Sequence, residues 1–322
     1  MFLVTGCNSL LGRSLIKRLL KGGAAVKGLD LWREGDYPEN LEFAEGSVLD
    51  YELLLAFSRG VEVIYHLMDI KNSSRFGRRF MKRINVTGTE NIIAAAKENN
   101  IKKIVYLSSA DVYGKPRAMP VRQDDPKKPV TRYGKDKLRA ERICWRYIEK
   151  EKIDITIFRP TLIAGPGVED PLMLIILYMA LAMGDANRLY VAGDGDSMFQ
   201  LIHPDDVVDA LTSAYSIPDT KGKVYNLGSD NVPTQMEQVV KIRELAKLDC
   251  QTKRLSPLAT KVLSFLLRPL NVNYLTREHV IFILSNFVLD CVMAKRDLKW
   301  YPRKDNIDIL VETIEWYERE KL

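Results

Sequence analysis

The sequence predicts an α/β protein built on a doubly wound parallel sheet. Three observations point that way. Short apolar, β-rich runs alternate with runs of helical periodicity. The strand runs are apolar throughout instead of alternating, which suits strands covered on both faces. The first strand also runs into a glycine turn at the head of a helix. Phe2–Thr5 is that strand, ended by Gly6. Leu10, Leu11, Leu15, Ile16, Leu19 and Leu20 recur at helical spacing, and Gly22 with Gly23 stops the helix. Residues 24–29 form a second strand, closed by Asp30. Strands follow at 61–67 and 101–107, with an Ile- and Ala-rich helix at 85–97 between them. Residues 135–149 read as a helix and 153–158 as a strand.

Beyond about residue 160 the rhythm changes. Gly165, Pro166 and Gly167 break the chain, and an apolar helix is expected from Leu172. A Gly/Asp loop is expected at 191–197, a helix at 205–214 and a strand at 224–227 that rejoins the sheet. The stretch from 232 to about 300 reads as helical and irregular, with apolar runs at 262–267 and 280–289. The expected division is a sheet domain (1–160 and 196–230), a smaller lobe (161–195 and 231–300) and a C-terminal helix (301–322).

Composition narrows the function classes. The 322 residues are 46% hydrophobic and 28% charged, which excludes a disordered or fibrous chain. The longest apolar run, 172–183, falls short of the roughly 18 residues that a bilayer span needs. Residues 1–6 show no basic-then-apolar leader, so a cytoplasmic protein without a signal peptide is expected. Cys7, Cys144, Cys250 and Cys291 are scattered without metal-like spacing, which suits a reducing compartment. A net charge of +6, with both signs interspersed, describes a solvated surface and not a nucleic-acid footprint.

Gly6 and Gly12 flank the turn between the first strand and the first helix, where a dinucleotide's pyrophosphate meets free backbone N–H groups. A spacing of G-x-x-G-x-x-G would put glycine at position 9, but Ser9 stands there. A glycine pair alone also fits a simple strand-to-helix turn. The second strand, following Gly12 and its helix and ending in the acid Asp30, adds weight. A carboxylate there accepts hydrogen bonds from a ribose 2′-hydroxyl and repels a 2′-phosphate, favouring NAD over NADP. Arg33 is near enough to blunt that preference and keep NADP in play.

Tyr133 and Lys137 stand at i and i+4, on one helix face. A phenol ionises near pH 10, so acid/base work near neutrality requires a shift of about 3 units, roughly 4 kcal/mol. An ammonium one turn away, with a bound nicotinamide cation, is a plausible source. The spacing alone is weak, because Tyr317 and Lys321 share it on a terminal helix. Ser108 and Ser109, upstream of Tyr133, end an apolar strand, and open parallel sheets bind ligands beyond such strand ends.

Together these residues resemble the extended short-chain dehydrogenase/reductase family, which includes NAD-dependent epimerases and dehydratases. The resemblance spans nearly the whole chain. It runs through Thr5-Gly6, Leu11-Gly12, Asp30, His66-Leu67, the 85–91 segment Asn-Val-Thr-Gly-Thr-Glu-Asn and the 108–114 segment Ser-Ser-Ala-Asp-Val-Tyr-Gly. It continues through Tyr133 and Lys137, Arg159-Pro160, Gly165-Pro166-Gly167, His203 to Asp206, Tyr225 to Ser229 and the tail Ala294 to Pro302. The family implies a Rossmann-type sheet with a smaller, mainly helical C-terminal substrate lobe. It implies Tyr133 as the acid/base, Lys137 as the nicotinamide-ribose ligand that tunes it, and Ser109, ahead of Ser108, as the hydrogen-bond partner of the reacting oxygen. Gly6, Ser9, Leu10, Leu11 and Gly12 would line the pyrophosphate. Ser47 and Val48 fall at the adenine, although the family's Asp is missing there. Leu67, Met68 and Lys71 would line the cofactor, Asn85 its ribose, and Pro160 the nicotinamide. No metal is implied. Family members often form homodimers through helices matching 85–99 and 135–149, where Ile92, Ile143 and Trp145 could contribute.

Several positions depart from the family. Asp69 stands where a small residue is usual. Leu162 and Phe199 replace an Asn and an Arg that grip the diphosphate of nucleotide-sugar substrates, and a late Arg-x-Gly-Asp element is absent. Lys253, Arg254, Arg268 and Arg277 offer another route to a phosphate. The 274–279 region resembles the 3β-hydroxysteroid dehydrogenase-type branch. Ala110 removes one of the two acids of the dehydratase Thr-Asp-Glu motif. The leading reading is an NAD(P)-dependent oxidoreductase acting on a secondary alcohol or ketone, with an apolar, sterol-like or alkyl hydroxy acid substrate. A nucleotide-sugar epimerase with tightly bound NAD is the alternative, with a dehydratase behind it and a non-catalytic sensor last. Peripheral membrane contact rests only on the amphipathic 258–267 segment, which a substrate lid explains equally well.

Overall fold

The computed structural model describes residues 1–71, 77–168, 188–245, 251–256, 258 and 286–321. Seven strands form one parallel sheet: β1 (Phe2–Thr5), β2 (Val26–Asp30), β3 (Leu41–Glu45), β4 (Val63–His66), β5 (Lys103–Leu107), β6 (Ile155–Pro160) and β10 (Val224–Leu227). Their order across the sheet is β3-β2-β1-β4-β5-β6-β10. From β1 the chain first winds outward to β3, then crosses back to β4 and winds the other way. The crevice beyond the carboxyl ends of β1 and β4 is therefore the topological switch point, where such sheets bind ligands.

Successive strand residues point to opposite faces, and each face has its own core. On one face, Val4, Tyr65, Val105 and Phe158 pack with α1 (Leu10–Lys21), α6 (Pro204–Ser216) and α8 (Val292–Leu298). On the other, Leu3, Ile64, Ile104 and Ile157 pack with α2 (Tyr51–Phe57), α4 (Thr89–Glu98) and α5 (Arg132–Glu151). Burial on both sides is why these strands carry no polar alternation. Ile92, expected at a subunit interface, is 1% exposed within its own protomer's core, whereas Ile143 and Trp145 are half-buried. Ile92 thus serves its own core, and Ile143 and Trp145 keep part of their surface open.

Helix α3 (Arg78–Lys82) continues through a π-helical turn at Arg83–Gly88 into α4. A third cluster joins Ala164, Leu201, Ile242, Ile309, Leu310 and Ile314. It ties the short pair β7 (Leu162–Ile163) and β9 (Leu201–Ile202) to α7 (Gln235–Leu245) and α9 (Asn306–Lys321). A second pair, β8 (Arg188–Ala192) with β11 (Gln251–Leu255), differs from expectation. Val191 and Ala192 are strand residues, so the Gly/Asp loop starts at Gly193. Residues 251–255 are extended, not helical, because they pair with a strand far back in the sequence. The runs 172–183, 262–267, 274–279 and 280–285, with Arg268 and Arg277, lie outside the described residues, as does all of 258–267 but Leu258. Among the described residues no helix is long and apolar enough to cross a membrane.

Candidate active site

The glycine turn is close-packed on its own chain. Gly6 has φ +75°, and a Cβ there would lie 2.7 Å from the Met68 Cα at the end of β4. A Cβ on Gly12 would lie 2.4 Å from the Gly6 carbonyl oxygen, so only glycine lets α1 start this near β1. Ser9 is the N-cap of α1: its hydroxyl donates to the Gly6 carbonyl at 2.7 Å and accepts from the Gly12 N–H at 3.1 Å. The amides of Leu10 and Leu11 are in the helix's first turn, ahead of the first intrahelical acceptor, and suit an anion. Gly167 folds the 165–167 turn over Leu10: its Cβ would be 3.1 Å from the Leu10 Cδ1.

Asp30 is fixed at the tip of β2 by two amides, Asn8 N–H to Oδ2 and Leu31 N–H to Oδ1, both at 2.8 Å. Burial pushes its carboxyl up, and the two amides offset that only in part. The Tyr37 hydroxyl donates to the Asn8 side-chain oxygen, and Arg13 and Arg33 lie over the Tyr37 ring at 5.6 and 5.7 Å. The Ser47 hydroxyl accepts from the Leu49 N–H at 3.1 Å, and Val48 is buried beneath Gly88 of the π-helical turn. A turn that any Cβ would fill, first-turn amides and a carboxylate at the next strand tip together fit a dinucleotide with a free 2′-hydroxyl.

Thr131 caps α5, accepting from the Gly134 N–H at 2.7 Å. Gly134 lets the helix start press against the 110–112 turn, since a Cβ there would lie 2.5 Å from the Asp111 carbonyl oxygen. This places Tyr133 and, one turn on, Lys137 at the end of β4. There the Tyr133 hydroxyl donates to Asp69 Oδ2 at 2.5 Å, and the Lys137 ammonium lies 2.9 Å from the same oxygen. Lys137 also donates to the Leu107 carbonyl at 2.7 Å and is fully buried. Burial alone would push the Asp69 carboxyl up, but Lys137, Lys71 and the Tyr133 hydroxyl outweigh it and hold the acid below the usual carboxylate range. Burial, then the Asp69 charge, raise the Tyr133 phenol well above its ordinary value. The expected lowering of that phenol by Lys137 is thus not met: Asp69 stands between them.

The other candidate residues separate by role. Ser108 points away from the mouth, its hydroxyl donating at 2.5 Å to Glu141, which holds Arg159 in a buried two-pronged ion pair at 2.8 and 2.6 Å. Ser109 caps the short turn Ala110–Val112, accepting from the Asp111 N–H at 3.2 Å. Asn85, on the π-helical turn, clamps Ile70 through both backbone groups, at 2.8 and 2.9 Å. Leu67 and Met68 are buried, Lys71 is exposed with its Nζ 5.9 Å from the Tyr133 ring centre, and Pro160 ends β6 opposite Leu227. Leu162 and Phe199 pack against the third core cluster. Two members escaped the sequence reading. Asp69 was seen only as an odd acid, and Glu141 continues the i, i+4 spacing of Tyr133 and Lys137 by one more turn. Among the described residues no group of His, Cys, Asp and Glu is arranged to hold a metal.

Comparisons with known proteins bear on the family. An uncharacterized protein, y4nG, of Sinorhizobium fredii is 27% identical over 99% of this chain and 79% of its own length. A UDP-glucose 4-epimerase of Mycolicibacterium smegmatis is 31% identical, covering 70% of this chain and 76% of its own. The solved structure of MoeE5 in complex with UDP-glucuronic acid and NAD superposes with a TM-score of 0.78 at 24% identity, over 99% of each chain, a likeness of fold. The family model described as the NAD dependent epimerase/dehydratase family matches residues 2–228. That match covers the sheet, the glycine turn and the Tyr133–Lys137 pair together, and the chain belongs to this family of NAD-dependent enzymes.

Proposed function

We propose that this protein catalyses reversible oxidation of a secondary alcohol to a ketone with NAD, Tyr133 exchanging the hydroxyl proton. One observation carries the reading. The backbone touching Gly6 at Met68 continues directly into Asp69, which holds Tyr133 and Lys137. The glycine turn and the proton-transfer pair therefore share one wall of one crevice. The Leu10 and Leu11 amides and the Gly6–Gly12 turn would hold the pyrophosphate, Asp30 the adenosine ribose and Lys137 the nicotinamide ribose. When bound, NAD supplies the hydride acceptor and donor. Ser109 would hydrogen-bond the reacting oxygen, and Tyr133 would give or take its proton.

A second reading keeps the same chemistry and closes the cycle on one substrate. In an epimerase the transient ketone takes its hydride back on the other face. The likeness to UDP-glucose 4-epimerase favours it. The apolar Leu162 and Phe199 favour a substrate gripped less by its phosphates. A panel of sterol, alkyl β-hydroxy acid and nucleotide-sugar substrates separates the two: net NADH supports the first reading, and epimers without net NADH the second. Under either, Tyr133→Phe should cost about 10²-fold or more in turnover while NAD binding by calorimetry is kept. Near-normal turnover of that variant would sink both.

A further inference from the structure

We propose that Asp69 is the proton partner of Tyr133: it keeps the tyrosine a proton donor and accepts that proton whenever Tyr133 receives one from substrate. The inference rests on the reading of Tyr133 as the acid/base. A single carboxylate oxygen takes both the phenol, at 2.5 Å, and the Lys137 ammonium, at 2.9 Å. Lys137 thus meets Tyr133 through Asp69, its own Nζ lying 5.6 Å from the phenol ring centre. Asp69 is pinned on both sides. Met68 before it packs on Gly6, where no Cβ fits, and Ile70 after it is clamped by the buried Asn85.

The charges around the pair agree. Tyr133 faces the carboxylates of Asp69 and Asp111 and the phenol of Tyr106, against the ammoniums of Lys137 and Lys71. Asp69 faces Lys137, Lys71 and the Tyr133 hydroxyl, with His66 nearby and held neutral by burial. In alcohol oxidation the substrate hydroxyl gives its proton to the Tyr133 oxygen while the phenol's own proton passes to Asp69 Oδ2. Tyrosine ends as it began, neutral, and the carboxylate becomes a carboxylic acid. Ketone reduction runs the same two transfers backwards. The Asp69 side chain is 20% exposed and Lys137 is 1% exposed, so the proton reaches solvent through the acid. A lone phenolate is never required.

The test is ionisation of Tyr133 in the full-length protein, read by NMR of ζ-carbon-labelled tyrosine and assigned with Tyr133→Phe. Wild-type Tyr133 should stay a phenol beyond about pH 10, and Asp69→Asn should ionise at least about one unit lower, a tenfold larger acid constant. A far-downfield bridging proton should be present in wild type and absent from both variants. With the active substrate from the panel, the wild-type oxidation rate should be flat from roughly pH 6 to 9, and that of Asp69→Asn should climb about tenfold per unit. Equal ionisation of Tyr133 in wild type and Asp69→Asn, or parallel rate profiles, would overturn the proposal. Should Asp69→Asn fold poorly, Asp69→Ser is the substitute, and wild-type Tyr133 ionising near neutrality is decisive by itself. Loss of NAD binding by the wild type would refute the proposed function and leave the Tyr133 titration standing.

Discussion

His66 shows what a buried polar residue does beside this site. Its ring is held between the Thr5 and Thr89 hydroxyls at 2.7 and 3.0 Å. Burial, then the Lys137 charge, push its pKa down from 6.5 to about 3, with Asp69 pulling weakly the other way. Between those values the unfolded chain binds a proton that the folded chain refuses. The stability contribution is therefore complete above pH 6.5 and lost as pH falls towards 3. At 1.36 kcal/mol per unit the full effect is on the order of 5 kcal/mol. Wild type should lose urea stability on going from pH 7 to about 5, before most carboxylates titrate, and His66→Gln should decline less steeply over that window. Matching slopes would mean that the imidazole is not kept neutral. At this scale the sequence is candid about which residue types matter and silent about whom they meet. Tyr133, Lys137 and the glycines are legible because backbone geometry restricts their alternatives. Asp69 is not, because its meaning depends on a contact 64 residues away.

Element packing around the site depends on one buried ion pair. Arg159 of β6 and Glu141 of α5 are 2% and 1% exposed and bonded twice, and Arg159 also donates to the Tyr113 hydroxyl at 2.7 Å. The Tyr113 hydroxyl in turn donates to Asn226 of β10 at 2.7 Å. This chain of bonds fixes α5, and with it Tyr133, against β6, β10 and the turn that follows β5. Glu141→Gln would leave a buried guanidinium without its counter-charge and should cost about 3–5 kcal/mol in urea unfolding. Replacing both partners, Glu141→Leu with Arg159→Met, should recover much of that loss, because two burdens of desolvation disappear together. If the double variant is no better than the single one, the pair does more than cancel its own charge. The alternating strands and helices up to Pro160 were readable wherever each buries a full face. Strand β3 was not read, since Glu42 and Glu45 give this edge strand a mixed pattern, and α2 was missed because its seven residues make only two turns. Pairs such as β8 with β11 carry no local signal, because each strand is defined by a partner far along the chain.

Over the whole molecule, the reversal of winding between β1 and β4 decides where chemistry can occur. All seven strands are parallel, so their carboxyl ends open on one side, and only at the reversal do neighbouring connections part to leave a crevice. The glycine turn, Asp30, Asp69 and the start of α5 all belong to that side. A ligand bound there joins both halves of the sheet and should stabilise the fold as a unit. At a hundredfold excess over its dissociation constant, NAD should add about 2.7 kcal/mol, visible as a rise in the unfolding midpoint. The same crevice should distinguish NAD from NADP. Asp30 is held by two amides with its charge at the strand tip, where a 2′-phosphate would bring further negative charge. Arg13 does not offset this, because its guanidinium already donates to the Asn8 and Glu34 carbonyls at 2.9 and 2.7 Å. NADP at equal concentration should therefore raise the midpoint less than NAD, and Asp30→Asn should narrow the gap by weakening NAD and relieving NADP. An equal rise with both cofactors in wild type would show that Arg33, over the Tyr37 and Phe43 rings at 5.7 Å each, swings out to meet the phosphate.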